Sequence, residues 1–299
     1  MSPGSDLHPG KLFDLSGRIA LVSGGGTGIG LMIAQGLAAS GAKVYITGRR
    51  KEVLDKIAQA WEQEEGKIIP LQMDATKKES ILAAREVISQ QEGKLHILVN
   101  NAGQVGPCSD FLNQPSPTAP KDAATLGQAL FDNESFEEWS DLYAINTFSI
   151  FFVTTAFAGL LDKGSKDVEG YTSCVINTTS ISGLIKLAQR HFCYNSAKGA
   201  ASHLTSMLST EFALKGILVR VNAIAPGVYE SEMTVDVIEG EELTNKVGQG
   251  IFPIPAKRSG TAAEMAGTAV YLASRAGSYM NGRELVIDGG YMAVNPSRS

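Results

Sequence analysis

Short unbroken apolar runs alternate along most of the chain with stretches of mixed polarity. Residues 17–22 read as a buried strand running straight into a glycine-rich turn. Residues 29–39 have helical character, and Gly41 stops them. Strands follow at 43–47, 67–72 and 95–99, with helices at 50–65, ended by Gly66, and 77–91 between them. The rhythm continues with helices at 135–161, 194–214 and 262–273 and strands at 173–178, 218–224 and 284–287. Strict strand–helix alternation predicts a parallel sheet with helices on both faces. Apolar strands without polar alternation fit burial on both sides. No internal repeat or dividing linker interrupts residues 15–292, so one domain is expected, with polar tails at 1–14 and 293–299. Two stretches break the rhythm: 104–133, rich in Pro, Ser, Ala and Asp, and 228–257, which closes in Ile251-Phe-Pro-Ile-Pro255.

The glycine turn is Ser23-Gly24-Gly25-Gly26-Thr27-Gly28-Ile29-Gly30. A glycine turn between strand and helix lets backbone N–H groups approach a pyrophosphate at the helix N-terminus. Glycine motifs alone are weak signals, but this one opens a strand–turn–helix unit, the context a dinucleotide needs. At the end of the second strand an acidic residue would bind the ribose hydroxyls of NAD(H) and repel a 2′-phosphate. The sequence there is Gly48-Arg49-Arg50. A guanidinium pairs with a phosphate bidentately, so Arg49 points to NADP(H), with NAD(H) as the alternative; the other arginine is read as a solvated helix start.

Tyr194 and Lys198 stand four residues apart on a helix and share one face. A free phenol has a pKa near 10, too high for proton exchange at neutral pH. A neighbouring ammonium lowers it, as general acid–base catalysis requires. Such a pair alone is ordinary surface or core; beside a dinucleotide turn it describes hydride transfer between a nicotinamide and a carbonyl carbon.

With these residues the chain resembles the short-chain dehydrogenase/reductase family, in its non-extended branch and broadly like its 3-oxoacyl reductases, over nearly its whole length. Ser23-Gly24-x-x-x-Gly28-x-Gly30 is similar to the family's cofactor turn, with Ser for Thr. Asp74, followed by Ala75, resembles the adenine-contacting Asp, and Asn100-Asn101-Ala102-Gly103 matches the motif ending the fourth strand. Asn146 resembles the residue that holds a water relay to the lysine, and Ser180 the serine that hydrogen-bonds the substrate oxygen. Pro226-Gly227-Val228-Tyr-Glu-Ser231 resembles the segment holding the nicotinamide carboxamide, and Asp288-Gly289-Gly290 the closing motif. The resemblance implies a doubly wound Rossmann sheet of about seven strands. It implies a catalytic set of Asn146, Ser180, Tyr194 and Lys198. Tyr194 would be general acid or base, Ser180 would orient the carbonyl, and Lys198 would lower the Tyr194 pKa and hold the nicotinamide ribose. It also implies a homo-oligomer, a tetramer or dimer paired through the long helices carrying Asn146 and Tyr194.

Composition narrows the setting. Of 299 residues 43% are hydrophobic and 19% charged, enough for a sizeable core. A formal charge of -5 argues against nucleic acid. Cys108, Cys174 and Cys193 suit neither a disulfide framework nor zinc, and His8, His96 and His203 are dispersed, so no metal is expected. No single apolar run reaches the roughly 18–20 residues that span a bilayer, and neither end carries a secretion or peroxisomal signal. A cytoplasmic enzyme acting on a small carbonyl or alcohol, without membrane, is the expectation.

Residues 104–133 are longer than the corresponding stretch of most family members. They are read as an insertion near the active site: a lid whose Phe111, Leu112, Leu126, Leu130 and Phe131 suit an apolar substrate, or a tolerated surface loop. Residues 228–257 are read as a substrate loop. Cys193 is read as packing, His191 and Arg190 as solvated loop, and Lys257 with Arg258 as structural. The alternatives to an apolar ketone are a 3-oxoacyl thioester on acyl carrier protein or coenzyme A, which asks for a basic docking patch from Lys186, Arg190, Lys257 and Arg258, and a non-catalytic NADP-binding scaffold. An epimerase or dehydratase is weaker still.

Overall fold

The structure is a computed structural model, described for residues 7–62, 65–112, 122–229 and 250–297. Its strands are β1 (Ile19–Ser23), β2 (Lys43–Gly48), β3 (Lys67–Gln72), β4 (Ile97–Asn100), β5 (Ser173–Thr178), β6 (Val219–Pro226) and β7 (Glu284–Ile287). Its helices are α1 (Pro9–Leu12), α2 (Gly28–Ala39), α3 (Lys51–Gln59), α4 (Lys78–Gln91), α5 (Ala123–Asn133), α6 (Phe136–Tyr143), α7 (Ser149–Asp167), α8 (Phe192–Leu214), α9 (Ala262–Ala273) and α10 (Tyr291–Val294). The strands form one sheet in the order β3-β2-β1-β4-β5-β6-β7, and every pairing is parallel. This is the doubly wound fold that the alternation predicts.

Strand periodicity sends alternate residues of β1 into two different cores. Ala20 and Val22 face one layer with Ile33, Leu37, Met265 and Leu272. Ile19 and Leu21 face the other with Leu98, Phe157, Leu161 and Phe212. Gly36 lets α2 and α9 meet closely, since a Cβ there would lie 2.5 Å from that of Ala266. β1 lies between β2 and β4, so the chain winds away from it in both directions. A crevice opens beyond the strand ends at such a reversal, the usual ligand position in open α/β sheets.

Several elements differ from the sequence reading. The helix expected at 50–65 ends at Gln59, and the Trp61 indole donates to the Gly66 carbonyl at 3.2 Å. The helix expected at 135–161 is α6 and α7 joined through a π-turn, Ala144–Phe148, and it continues to Asp167. This continuous run is long and apolar enough to cross a membrane by length and composition, contrary to the expectation from single apolar runs. Half of its most apolar window is buried in the protein, where Ile150, Val153, Phe157 and Leu161 pack against the sheet. The stretch at 104–133 contains α5, started by Asp122, whose carboxylate accepts from Ala124 and Thr125 N–H groups at 3.0 Å. The C-terminal residues expected as a tail are strapped down: Asn295 is buried and accepts from the Ile251 and Phe252 amides, and Lys186 N–H donates to Pro296.

Candidate active site

β1 delivers the chain into the glycine turn at the crevice. Gly24 and Gly28 have φ of +64° and +51°, the left-handed region where side chains are strained. Gly30 lies behind the turn rather than in the crevice: a Cβ on it would sit 2.1 Å from the Gly24 carbonyl oxygen and 2.4 Å from Asn101 Nδ2. The Asn101 side chain donates to the Ser23 and Gly24 carbonyls at 3.2 Å, while Ser23 Oγ accepts from the Asn101 and Ala102 amides at 3.0 and 3.2 Å. The end of β4 thus fixes the turn that follows β1, and serine performs this with the hydroxyl that it shares with threonine.

The turn is one wall of a cleft of about 860 Å³. Ser23, Gly24, Gly26, Thr27, Gly28 and Ile29 line one end, and Ala102 and Gly103 the floor. Arg49 lines the rim beyond β2, with Arg50 and Lys77 close by. Asp74 and Ala75, just beyond the neighbouring β3, line the cleft too. Burial pushes the Asp74 carboxyl up, but its bonds from the Thr76 hydroxyl and amide, at 2.7 and 2.9 Å, outweigh this, and Arg49 and Lys77 lower it further. The rim therefore holds several cations and one ionised carboxylate that is already engaged.

Ser180, Tyr194 and Lys198 line the inner end of the same cleft. Ser180 stands just after β5 and accepts from Ser182 N–H at 3.1 Å. Tyr194 and Lys198 lie in the first turns of α8. Burial raises the Tyr194 pKa, and a hydrogen bond with Ser180 opposes it. The expected lowering by Lys198 is not what the geometry provides. The ammonium lies 5.8 Å from the Tyr194 ring centroid and donates to the Thr178 carbonyl at 2.8 Å. Burial brings Lys198 itself down to about 8. Asn146 sits in the π-turn, and its side chain both accepts from Gln104 N–H and donates to Gln104 C=O, each at 2.9 Å. π-turns often mark functional positions in helices; here the bulge turns an amide side chain to the strand-end loop, and Gln104, not Asn146, lines the cleft.

Pro226 and Gly227, at the end of β6, complete the cleft, whereas Val228 faces a separate depression with Tyr229 and Ile254. Ser231 lies outside the described residues. Thr47, Thr178, Thr179, Gln104 and Asp141 also line the cleft and were not singled out in the sequence. Thr47 immediately precedes Gly48, and Thr178 and Thr179 are the two residues before Ser180. Cys193 is fully buried and its thiol is pushed up to about 12 by burial, in keeping with packing. Arg190 and His191 are not solvated loop residues: Arg190 pairs with Asp110 at 2.5 Å, and His191 Nδ1 lies 3.1 Å from Cys108 Sγ. Among the described residues no group of three His, Cys, Asp or Glu side chains is placed to hold a metal.

A family model described as Enoyl-(Acyl carrier protein) reductase matches residues 24–292. The chain is 37% identical over 294 residues to Short-chain dehydrogenase/reductase PhomF of Diaporthe leptostromiformis, covering 97% of both. It is 33% identical to Gluconate 5-dehydrogenase of Gluconobacter oxydans (strain 621H), covering 95% of this chain and 97% of that one. Among solved structures, the Pseudomonas aeruginosa RhlG/NADP active-site complex superposes with a TM-score of 0.75 at 28% identity, covering 94% and 98% of the two chains.

Proposed function

Because the chain belongs to the short-chain dehydrogenase/reductase family, we propose that it interconverts a ketone and a secondary alcohol with NADP(H), on an apolar carbonyl substrate. The observation that carries this reading is that Ser180, Tyr194 and Lys198 share one cleft with the glycine turn. The residues present fit a dinucleotide. The left-handed backbone at Gly24 and Gly28 shapes the turn that lines the cleft, and the buried hydroxyls of Thr47 and Thr178, both lining it too, have no hydrogen-bond partner among the described residues. Gly48 stands where an acidic residue would repel a 2′-phosphate, Arg49 follows it on the cleft wall, and the Pseudomonas aeruginosa RhlG structure that superposes on this chain is an NADP complex.

When bound, the nicotinamide supplies or accepts the hydride. Tyr194 holds the proton on its phenol oxygen and gives it to the carbonyl oxygen, and Ser180 hydrogen-bonds the same oxygen and orients it. Lys198, buried and still cationic at neutral pH, would bind the ribose hydroxyls. Asn146 and the Gln104 backbone hold a proton path towards Lys198. Ser23, Gly24, Gly26, Thr27, Gly28 and Ile29 would hold the pyrophosphate, Asp74 and Ala75 the adenine end and Pro226 and Gly227 the carboxamide, with Asn101, Ala102 and Gly103 lining the cleft between them.

A 3-oxoacyl thioester is the second reading, favoured by 32% identity over 286 residues to the Rhamnolipids biosynthesis 3-oxoacyl-[acyl-carrier-protein] reductase of Pseudomonas aeruginosa. Two of the four cations that would dock a carrier are engaged, Arg190 with Asp110 and Arg258 with Glu264. A small free substrate is therefore preferred. We place the enzyme in the cytoplasm as a homo-oligomer. The half-exposed Phe148, Phe151, Phe152 and Phe192 on the long helices support a covered face; a solution mass equal to one 31.7 kDa chain would contradict it.

The cofactor assignment is tested by fluorescence titration of NADPH and NADH on the wild type and Arg49→Ala. NADPH is expected to bind at least about tenfold more tightly, by one charge-assisted contact, and the substitution to remove the preference. Equal binding of both by the wild type would overturn it.

A further inference from the structure

The catalytic reading uses none of the three cysteines, and one of them is set apart. Cys174 and Cys193 are fully buried, whereas Cys108 is half-buried. Its Sγ lies 3.1 Å from Nδ1 of His191 and 4.0 Å from Nε2. The two residues come from different parts of the chain, 83 positions apart.

Their approach is fixed by the surrounding backbone. Ser109 N–H donates to the Arg190 carbonyl at 2.8 Å, and Asn133 Nδ2 donates to the Cys108 carbonyl at 3.0 Å. Gln189 and Arg190 hold φ of +52° and +64°, a strained conformation for residues with side chains. The turn that presents His191 is thus clamped to the segment that presents Cys108. The His191 ring in turn packs edge-on to Tyr194, with centroids 6.4 Å apart. The thiol stands one imidazole away from the tyrosine of the cleft.

Burial is the main effect on both groups: it raises the thiol and lowers the imidazole. Arg190, Asp110 and Glu134 are the charged groups that also act on both. The resting pair is therefore a neutral thiol beside a neutral imidazole, which is a nucleophile with its base in hydrogen-bond reach. A standing thiolate is not required.

We propose that Cys108 is a covalent modification site for α,β-unsaturated carbonyl compounds, with His191 as its base. Sulfur bonds to the β-carbon as the thiol proton passes to Nδ1. The π electrons of the C=C bond move to give an enolate, and the proton then returns from His191 to the α-carbon. Nothing is oxidised or reduced overall. The adduct displaces the imidazole packed on Tyr194 and obstructs the substrate side of the cleft, so an electrophilic enone inactivates the enzyme.

The test is reaction of the native protein with N-ethylmaleimide, read by intact mass and peptide mapping, on wild type, Cys108→Ser and His191→Asn. One adduct is expected in the wild type, on Cys108, while Cys174 and Cys193 react only after denaturation. Cys108 should react about tenfold faster than N-acetylcysteine at the same pH, and His191→Asn should lose that advantage. Protection of Cys174 and Cys193 reports whether the variant is folded; if it is not, the comparison with N-acetylcysteine decides. A Cys108 that reacts no faster than the free thiol, or a folded His191→Asn that reacts as fast as wild type, overturns the proposal. The labelling does not depend on the proposed function. Loss of carbonyl turnover on labelling does, and Cys108→Ser should be spared it; inactivation of Cys108→Ser at the wild-type rate would exclude Cys108 as the route.

Discussion

Burial brings Lys198 from 10.5 to about 8, so at neutral pH the fold holds a buried cation at a cost of roughly 3 kcal/mol. The sign follows from the lowered value: the cost is full below pH 8 and fades as pH rises towards 10.5 and the unfolded chain also loses its proton. Lys198→Met removes that cost and leaves only the Thr178 carbonyl without its donor, a loss of about 1 kcal/mol. The variant should be more stable by about 1–2 kcal/mol and inactive; a variant that melts below wild type would show that the ammonium is fully compensated. The identities of Ser180, Tyr194 and Lys198 were legible in the sequence, because an i,i+4 pair after a strand-end serine needs only local order. Their electrostatics were not. The Lys198 ammonium lies over the tyrosine ring, bonded to a strand carbonyl, and no spacing rule records where a flexible side chain ends. The partners of Arg190 and His191 were equally hidden, since Asp110 and Cys108 lie within the insertion, 80 and 83 positions earlier in the chain.

The glycine turn was legible as an element, but the reason for its last glycine was not. Gly30 does not face the cleft; it makes room for the Gly24 carbonyl and the Asn101 side chain. Gly30→Ala would push a methyl into backbone and is expected to cost about 1–3 kcal/mol. NADPH affinity should fall with it, because the displaced turn is the one expected to hold the pyrophosphate. Titration and thermal melting check this, and unchanged values for both would remove Gly30 from the account. Helix α5 escaped the sequence reading because its Asp122 cap and Ala-rich first turn adjoin a proline-rich stretch, and Gly127 weakens its helical pattern. No residue of α5 is buried, and Phe131 is 80% exposed. The apolar positions expected to face substrate are thus not sealed in a core there. The π-turn was invisible for a different reason: α6 and α7 keep a helical apolar pattern across it, and the extra residue shows only in the backbone.

At the scale of the molecule, the parallel sheet and its two helix layers followed from alternation and apolar runs, while the doubly wound arrangement came with the family resemblance. Stability should carry an acid signature from the end of the sheet away from the cleft. His96 is fully buried, accepts from Ile19 N–H at 3.0 Å, and burial lowers it to about 4, against a weaker opposing effect of Asp167. The unfolded chain takes up this proton near pH 6.5 and the folded chain near pH 4, so stability is lost as pH falls through that window. The loss is about 3 kcal/mol from this residue, and His96→Gln should flatten the urea-midpoint curve between pH 6.5 and 4; an unchanged slope would show that His96 does not resist protonation. The central claim is hydride transfer from a nicotinamide to a carbonyl carbon with a proton from Tyr194. It is tested most directly with NADPH deuterated at both C4 positions and a panel of apolar ketones, with product alcohols read by mass spectrometry for wild type and Tyr194→Phe. The expected result is one deuterium on the carbinol carbon with wild type, and a rate lower by about 10²- to 10⁴-fold with a variant that still binds NADPH. Equal transfer by both proteins, or NADPH binding by wild type with no label in any alcohol of the panel, would contradict it.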